Sequence, residues 1–254
     1  SVAKQIGFVL VCMILCACSA SSATPAPTTI ATIATTPALE ALVQTWIAEI
    51  PSTGIARFDL RTLAPLEIPQ TIEDSTVQLA IVGGTPPDDA FVTPLFDEGI
   101  AVVVHSQNAI RSLSLEELEG LFSGRISNWS ELDAEDLAVQ PVIPLSADET
   151  RTHFEQLVME DKAASVKALL APTPAAMIQL VSENPGAIGY LSFSSLSDEV
   201  RAVQVDNRSP SSANVRSGRY PLILPVIAYA SEEPQGALRD WILAIQAPVE
   251  TATP

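Results

Sequence analysis

Gly99–His105, reading GIAVVVH, narrows the fold more than any other stretch of the chain. An uninterrupted run of mostly β-branched apolar residues is a strand buried on both faces. Such a strand needs neighbours beside it and layers above and below it. The rest of the chain supplies both. Ile30–Thr35 alternates apolar and polar residues, as a strand does. Leu39, Leu42, Val43, Trp46, Ile47 and Ile50 then recur at helical spacing, after Thr36 as N-cap and Pro37 as first helical residue. Further strands are expected at 56–60, 77–82, 139–145, 187–191, 200–205 and 221–230. Helices are expected at 114–122, 150–159, 163–170, 173–184 and 236–247. Ser114 followed by Glu117 spells a capping box, and Gly124 a stop. Strand and helix periods interleave, which predicts an α/β fold with mixed, mostly parallel sheets flanked by helices.

The N-terminal segment points to a compartment. Lys4 is followed by an apolar run of about ten residues, Ile6–Leu15. A bilayer-spanning helix needs about 20. A basic start with a short apolar run is the pattern of a secretory signal, expected at 1–17. The run ends Leu15-Cys16-Ala17-Cys18, and small residues just before a cysteine resemble a bacterial lipobox, with Cys18 as the lipidated residue. Residues 18–29 are small, polar and proline-containing, the composition of a flexible tether. The protein is therefore expected on the bacterial cell surface or in the periplasm, touching the membrane through a lipid anchor only. A frayed tail is expected at 248–254.

Charge and motif content exclude several functions. Thirteen basic against 30 acidic side chains leave a net charge of −17, which repels a phosphodiester backbone, so no nucleic acid partner is expected. Two histidines and three cysteines, all of the latter in the first 18 residues, are too few for a Cys/His metal cluster. There is no Gly-x-Ser-x-Gly elbow, P-loop or HExxH segment. No catalytic residue, cofactor or metal is expected. The adjacent carboxylates Asp148 and Glu149 sit where they complement a helix N-terminal dipole.

Residues 99–132 read GIAVVVHSQNAIRSLSLEELEGLFSGRISNWSEL. Leu115, Glu116 or Glu117, Leu118, Phe122, Gly124, Ile126, Asn128 and Trp129 fall in register with a motif of the phosphate-binding extracytoplasmic proteins of phosphate ABC transporters. Asn184–Tyr190 and Arg219–Leu222 match two shorter motifs in the same order. The sequence thus resembles that type II periplasmic solute-binding family over about 98–230. The resemblance implies two α/β lobes, 30–98 plus 195–247 and 99–194, hinged around a small anionic solute such as phosphate, which ABC permease subunits would receive. Carried over residue by residue, it places ligand contacts at Thr35 and Thr36, at Gln78 where the family has an acidic acceptor, and at Thr150 and Arg151.

The third ligand loop departs from the family. Where the family has Arg, three spacers and Ser-Gly-Thr-Arg, this chain has Pro144 through Asp148-Glu149-Thr150-Arg151. A carboxylate a few ångströms from a buried phosphate costs several kcal/mol. Three outcomes are open: the ligand differs, Ser146 and Arg151 move inward to hold it, or the cleft has lost transport function. The last would make the chain a surface sensor or interaction module that no longer binds phosphate.

Overall fold

The computed structural model describes residues 29–247. The expected signal segment, Cys18, nearly all of the tether and the tail lie outside the described residues.

A sheet of nine strands, ordered β2-β1-β3-β11-β4-β8-β6-β7 with β9 beside β4, forms the spine. Its first half holds β1 (Thr29–Thr35), β2 (Ile55–Thr62), β3 (Leu79–Gly83) and β11 (Ile223–Ala230). The second half holds β6 (Gln140–Pro144), β7 (Leu169–Ala171), β8 (Ala187–Ser192) and β9 (Val200–Ala202). The long β4 (Phe91–His105) runs through both. It pairs with β11 up to Gly99, then with β8 from Ile100 and with β9 from Val103. The pairs β1–β2, β1–β3, β6–β7 and β6–β8 are parallel, whereas every neighbour of β4 and β11 is antiparallel. A separate parallel pair joins β5 (Ser112–Leu113) to β10 (Gln204–Val205). Ile100 to Val104 are fully buried, as the apolar run requires.

Helices α1 (Glu40–Glu49), α2 (Ile68–Glu73), α3 (Leu115–Ser123), α4 (Glu149–Phe154), α5 (Pro174–Ser182), α6 (Ser212–Arg216) and α7 (Gly236–Gln246) flank the sheet. The helix α3 begins where local chemistry demands. The Ser114 hydroxyl accepts from the Glu117 amide at 3.2 Å, and the Glu117 carboxylate accepts from the Ser114 amide at 2.7 Å. Gly124, at φ +83°, ends it. Trp129 is buried and donates its indole N–H to the Gly186 carbonyl at 3.0 Å, tying two distant motifs together.

Three local expectations are corrected. Residues 37–39 make a turn, closed by the Leu39 amide on the Thr36 carbonyl, so α1 starts at Glu40 and Thr36 does not cap it. Residues 163–170 are not a helix. The Ser165 amide bonds the Phe122 carbonyl at 2.8 Å, and Leu169 and Leu170 enter β7 beside β6, so tertiary pairing overrides the helical composition. The run 200–205 splits, β9 joining β4 and β10 joining β5.

Candidate functional site

The two halves of the sheet approach each other where β1 and β6 end. In the first half, the Thr35 hydroxyl donates to the Ile81 carbonyl at 2.8 Å and fixes the end of β1 against β3. Thr36 follows and is 1% exposed. In the second half, β6 ends at Pro144, a turn follows, and Asp148 caps α4. Its carboxylate accepts from the Thr150 amide at 2.8 Å and the Arg151 amide at 3.3 Å. A π-helical turn, Glu155–Met159, continues α4. Beneath it Phe154 stacks on Tyr190 at 3.8 Å, with Phe122 edge-on to both rings. This aromatic bed holds the end of α4 in place.

Glu149 crosses the gap. The Thr36 hydroxyl donates to its Oε1, joining the two halves through side chains 113 positions apart. Glu149 is 7% exposed, and its Oε2 has no hydrogen-bond partner among the described residues. Burial, reinforced by the Asp148 charge, pushes its carboxyl up to about 7. Asp148 is raised too, mainly by burial, against the opposing pull of the amides it caps. The Thr150 hydroxyl, also buried, has no partner among the described residues. His153 Nδ1 lies 3.1 Å from the Glu149 carbonyl; a carbonyl only accepts, so this nitrogen carries the hydrogen.

Gly83 and Gly84 make the close approach possible. A Cβ on Gly83 would sit 2.6 Å from Glu149 Cγ, and one on Gly84 would sit 2.7 Å from His153 Cε1. Gly84 also has φ +91°.

Around this contact lies a cleft. A cavity of about 400 Å³ opens beside Glu149, walled by Thr36, Gly83, Thr85, His153 and Tyr229. A narrow recess is lined by Asp148, Thr150, Thr173, Tyr190 and Ser192. It shares Thr173 and Pro174 with a groove of about 450 Å³ that also reaches Thr62 and Ser195. No Lys or Arg lines any of the three.

Thr36 lines the cavity beside Glu149, Thr150 lines the separate narrow recess, and Thr35 precedes Thr36 at the end of β1. Gln78 does not join them; it is exposed, and its Oε1 accepts from the Thr32 amide at 3.0 Å, stapling the approach to β3 onto β1. Ser146 is exposed in the turn before α4. Arg151 turns to Glu155 at 2.7 Å and to the Pro144 carbonyl at 3.1 Å, lining a separate recess with Lys162. The reach of Glu149 to Thr36 and Gly83 is absent from the sequence reading. In the amino-acid sequence its trace is the adjacent pair Gly83-Gly84. Among the described residues no group of three His, Cys, Asp or Glu side chains is placed to hold a metal ion, and no helix is long and apolar enough to cross a membrane.

A family model for a PBP superfamily domain matches residues 77–244. The phosphate-binding protein PstS of Bacillus subtilis is 30% identical over 145 residues, 57% of this chain and 48% of that protein. The chain spans about half the length of the curated relatives it matches. A solved structure from Clostridium perfringens, described as a phosphate ABC transporter substrate-binding protein with bound phosphate, superposes with TM-score 0.74. It is 22% identical, with 87% of this chain and 94% of that one covered. An ABC-type phosphate transport receptor from Vibrio cholerae gives TM-score 0.65 at 20% identity, over 86% of this chain and 94% of the other. At these identities the structural likeness speaks for the fold, a type II periplasmic-binding-protein architecture.

Proposed function

Because the chain belongs to the PBP superfamily, we propose that it is an extracytoplasmic solute-binding protein of an ABC importer that takes phosphate or another small oxyanion between two lobes. The lobes are 30–98 plus 195–247 and 99–194. One crossing between them is β4 at Gly99, and another follows β8 near Ser192. Binding and release, with no chemical step, is the activity. Cys18 carries the lipid that keeps the protein at the membrane, and permease subunits receive the solute.

One observation carries this reading beyond the family relation. Thr150 follows Glu149, which meets Thr36 across the junction, and its buried hydroxyl makes no hydrogen bond within bonding geometry among the described residues, with the Asp148 carboxylate its neighbour. A hydroxyl taken out of water without a partner is costly, and an oxyanion supplies the missing acceptor. Thr36 and Thr150 are the proposed contacts, with Thr35 setting the position of Thr36. Gln78, Ser146 and Arg151 take part only after a rearrangement that brings them inward.

A second reading has its own support. Asp148 and Glu149 line the cleft while no Lys or Arg does, which favours a binding-protein-like module that no longer takes phosphate. Calorimetry of the purified chain with phosphate, sulfate, molybdate and small organic acids separates the two. Saturable phosphate binding that is lost in Thr150→Ala supports the transport reading. Heat from none of these anions supports the alternative.

A further inference from the structure

An oxyanion in the cleft would have to bond the donors that its walls offer, and the chain already bonds three of them itself. The Thr36 hydroxyl of the first lobe is taken by Glu149 Oε1 of the second. The amides of Thr150 and Arg151 are taken by the Asp148 carboxylate. A carboxylate oxygen and an oxyanion oxygen are equivalent acceptors to a hydroxyl. The contact is also shaped for closeness. Glu149 Cγ lies only 2.6 Å from where a Cβ on Gly83 would be, so the bare backbone there admits the Glu149 side chain beside Leu224. Both Thr36 and Glu149 are buried, and the bond between them is shielded from competing water.

Resting on the two-lobe reading above, we propose that Glu149 is an internal occupant of the cleft: its carboxyl clasps the second lobe onto Thr36 and Gly83 of the first, and a solute enters only by displacing it. Closure then does not wait for the solute. Entry needs the Glu149 side chain to swing out, which frees the Thr36 hydroxyl for the incoming oxygen and removes a carboxylate from its path. Glu149 thereby becomes the residue that sets affinity and lobe position together.

The test uses the purified full chain and inorganic phosphate. Small-angle scattering is recorded with and without phosphate for the wild type, Glu149→Ala and Thr36→Val, and phosphate binding is followed by calorimetry. The clasp predicts a wild type that is already compact without phosphate. It predicts a larger radius of gyration for both variants without phosphate, and phosphate binding at least about tenfold tighter in Glu149→Ala, an effect of the size expected for losing one buried opposing carboxylate. Thr36→Val reads the same contact from the other lobe, so the scattering arm stands even if Glu149→Ala folds poorly. Scattering from both variants that superposes on the wild type overturns the clasp, as does a wild type that contracts only on adding phosphate. Expanded variants that bind no phosphate, sulfate or molybdate leave the clasp standing and overturn the transport reading instead.

Discussion

Glu98 accepts a hydrogen bond from the Ser194 amide at 2.6 Å, and its carboxylate also accepts from the Ser192 hydroxyl at 3.0 Å. Glu98 lies on β4 at the point where that strand leaves β11, and Ser192 and Ser194 lie where the chain returns from β8. One carboxyl therefore ties β4, where it exchanges β11 for β8, to the end of β8 and the residues after it. Burial raises its proton affinity, and the Ser194 and Ser192 donors pull in the opposite direction. Replacing it with Ala leaves the half-buried Ser194 amide without its acceptor and the Ser192 hydroxyl with only the Ser194 hydroxyl at 2.9 Å. Glu98→Ala is expected to cost about 2 kcal/mol in urea unfolding, with Glu98→Gln costing less because its amide oxygen still accepts. Equal midpoints for Glu98→Ala and the wild type would refute the tie.

Asp148 holds the amides at the start of α4. Asp148→Ser keeps a capping oxygen while removing the charge. Phosphate binding measured by calorimetry is expected to tighten at least about tenfold, the scale of one nearby opposing charge removed at an effective protein dielectric. Unchanged or weaker binding would mean that this charge does not face the solute.

The Glu149 carboxyl, raised to about 7 from 4.5, gives stability a definite slope. The native state holds the proton more tightly than the unfolded chain, so unfolding releases it between those values. Stability is then full below about 4.5 and falls as pH rises towards 7, by on the order of 3 kcal/mol from this group. Thermal melts are expected to show a higher Tm at pH 5 than at pH 8, and Glu149→Gln is expected to flatten that difference. A Tm that rises from pH 5 to pH 8 would contradict the burial argument.

Cys18 is tested in the bacterium. Metabolic labelling with a radioactive or alkyne fatty acid is expected to mark the wild type and to leave Cys18→Ser unmarked and released from the membrane fraction. Labelling that survives in Cys18→Ser assigns the lipid to another residue.

What the sequence discloses depends on how far each signal reaches. The capping box of Ser114 and Glu117 and the stop at Gly124 lie within one helix, so neighbouring residues decide them and the pattern is readable. The buried run at 99–105 is readable for the same reason. Residues 163–170 mislead because alanine, lysine and leucine favour a helix in isolation, while the Phe122 carbonyl and the edge of β6 claim that backbone in the fold. The loops carrying Thr36 and Thr150 can be placed from the strand ends that precede them. The contact between Thr36 and Glu149 cannot, because it joins residues whose separation of 113 leaves no periodicity or spacing to detect. Arg151 illustrates the same limit, since its turn towards Glu155 is a rotamer choice made by a neighbour one helical turn away.

Gly83 presents bare backbone to Glu149 and Leu224, so the fit of these two side chains is governed by a carbon that is missing. A methyl group at that point would press on both side chains at once, and the bond from Thr36 to Glu149 would have to shift with them. That contact thus depends on a position with no functional group at all, one that a search for polar residues would pass by.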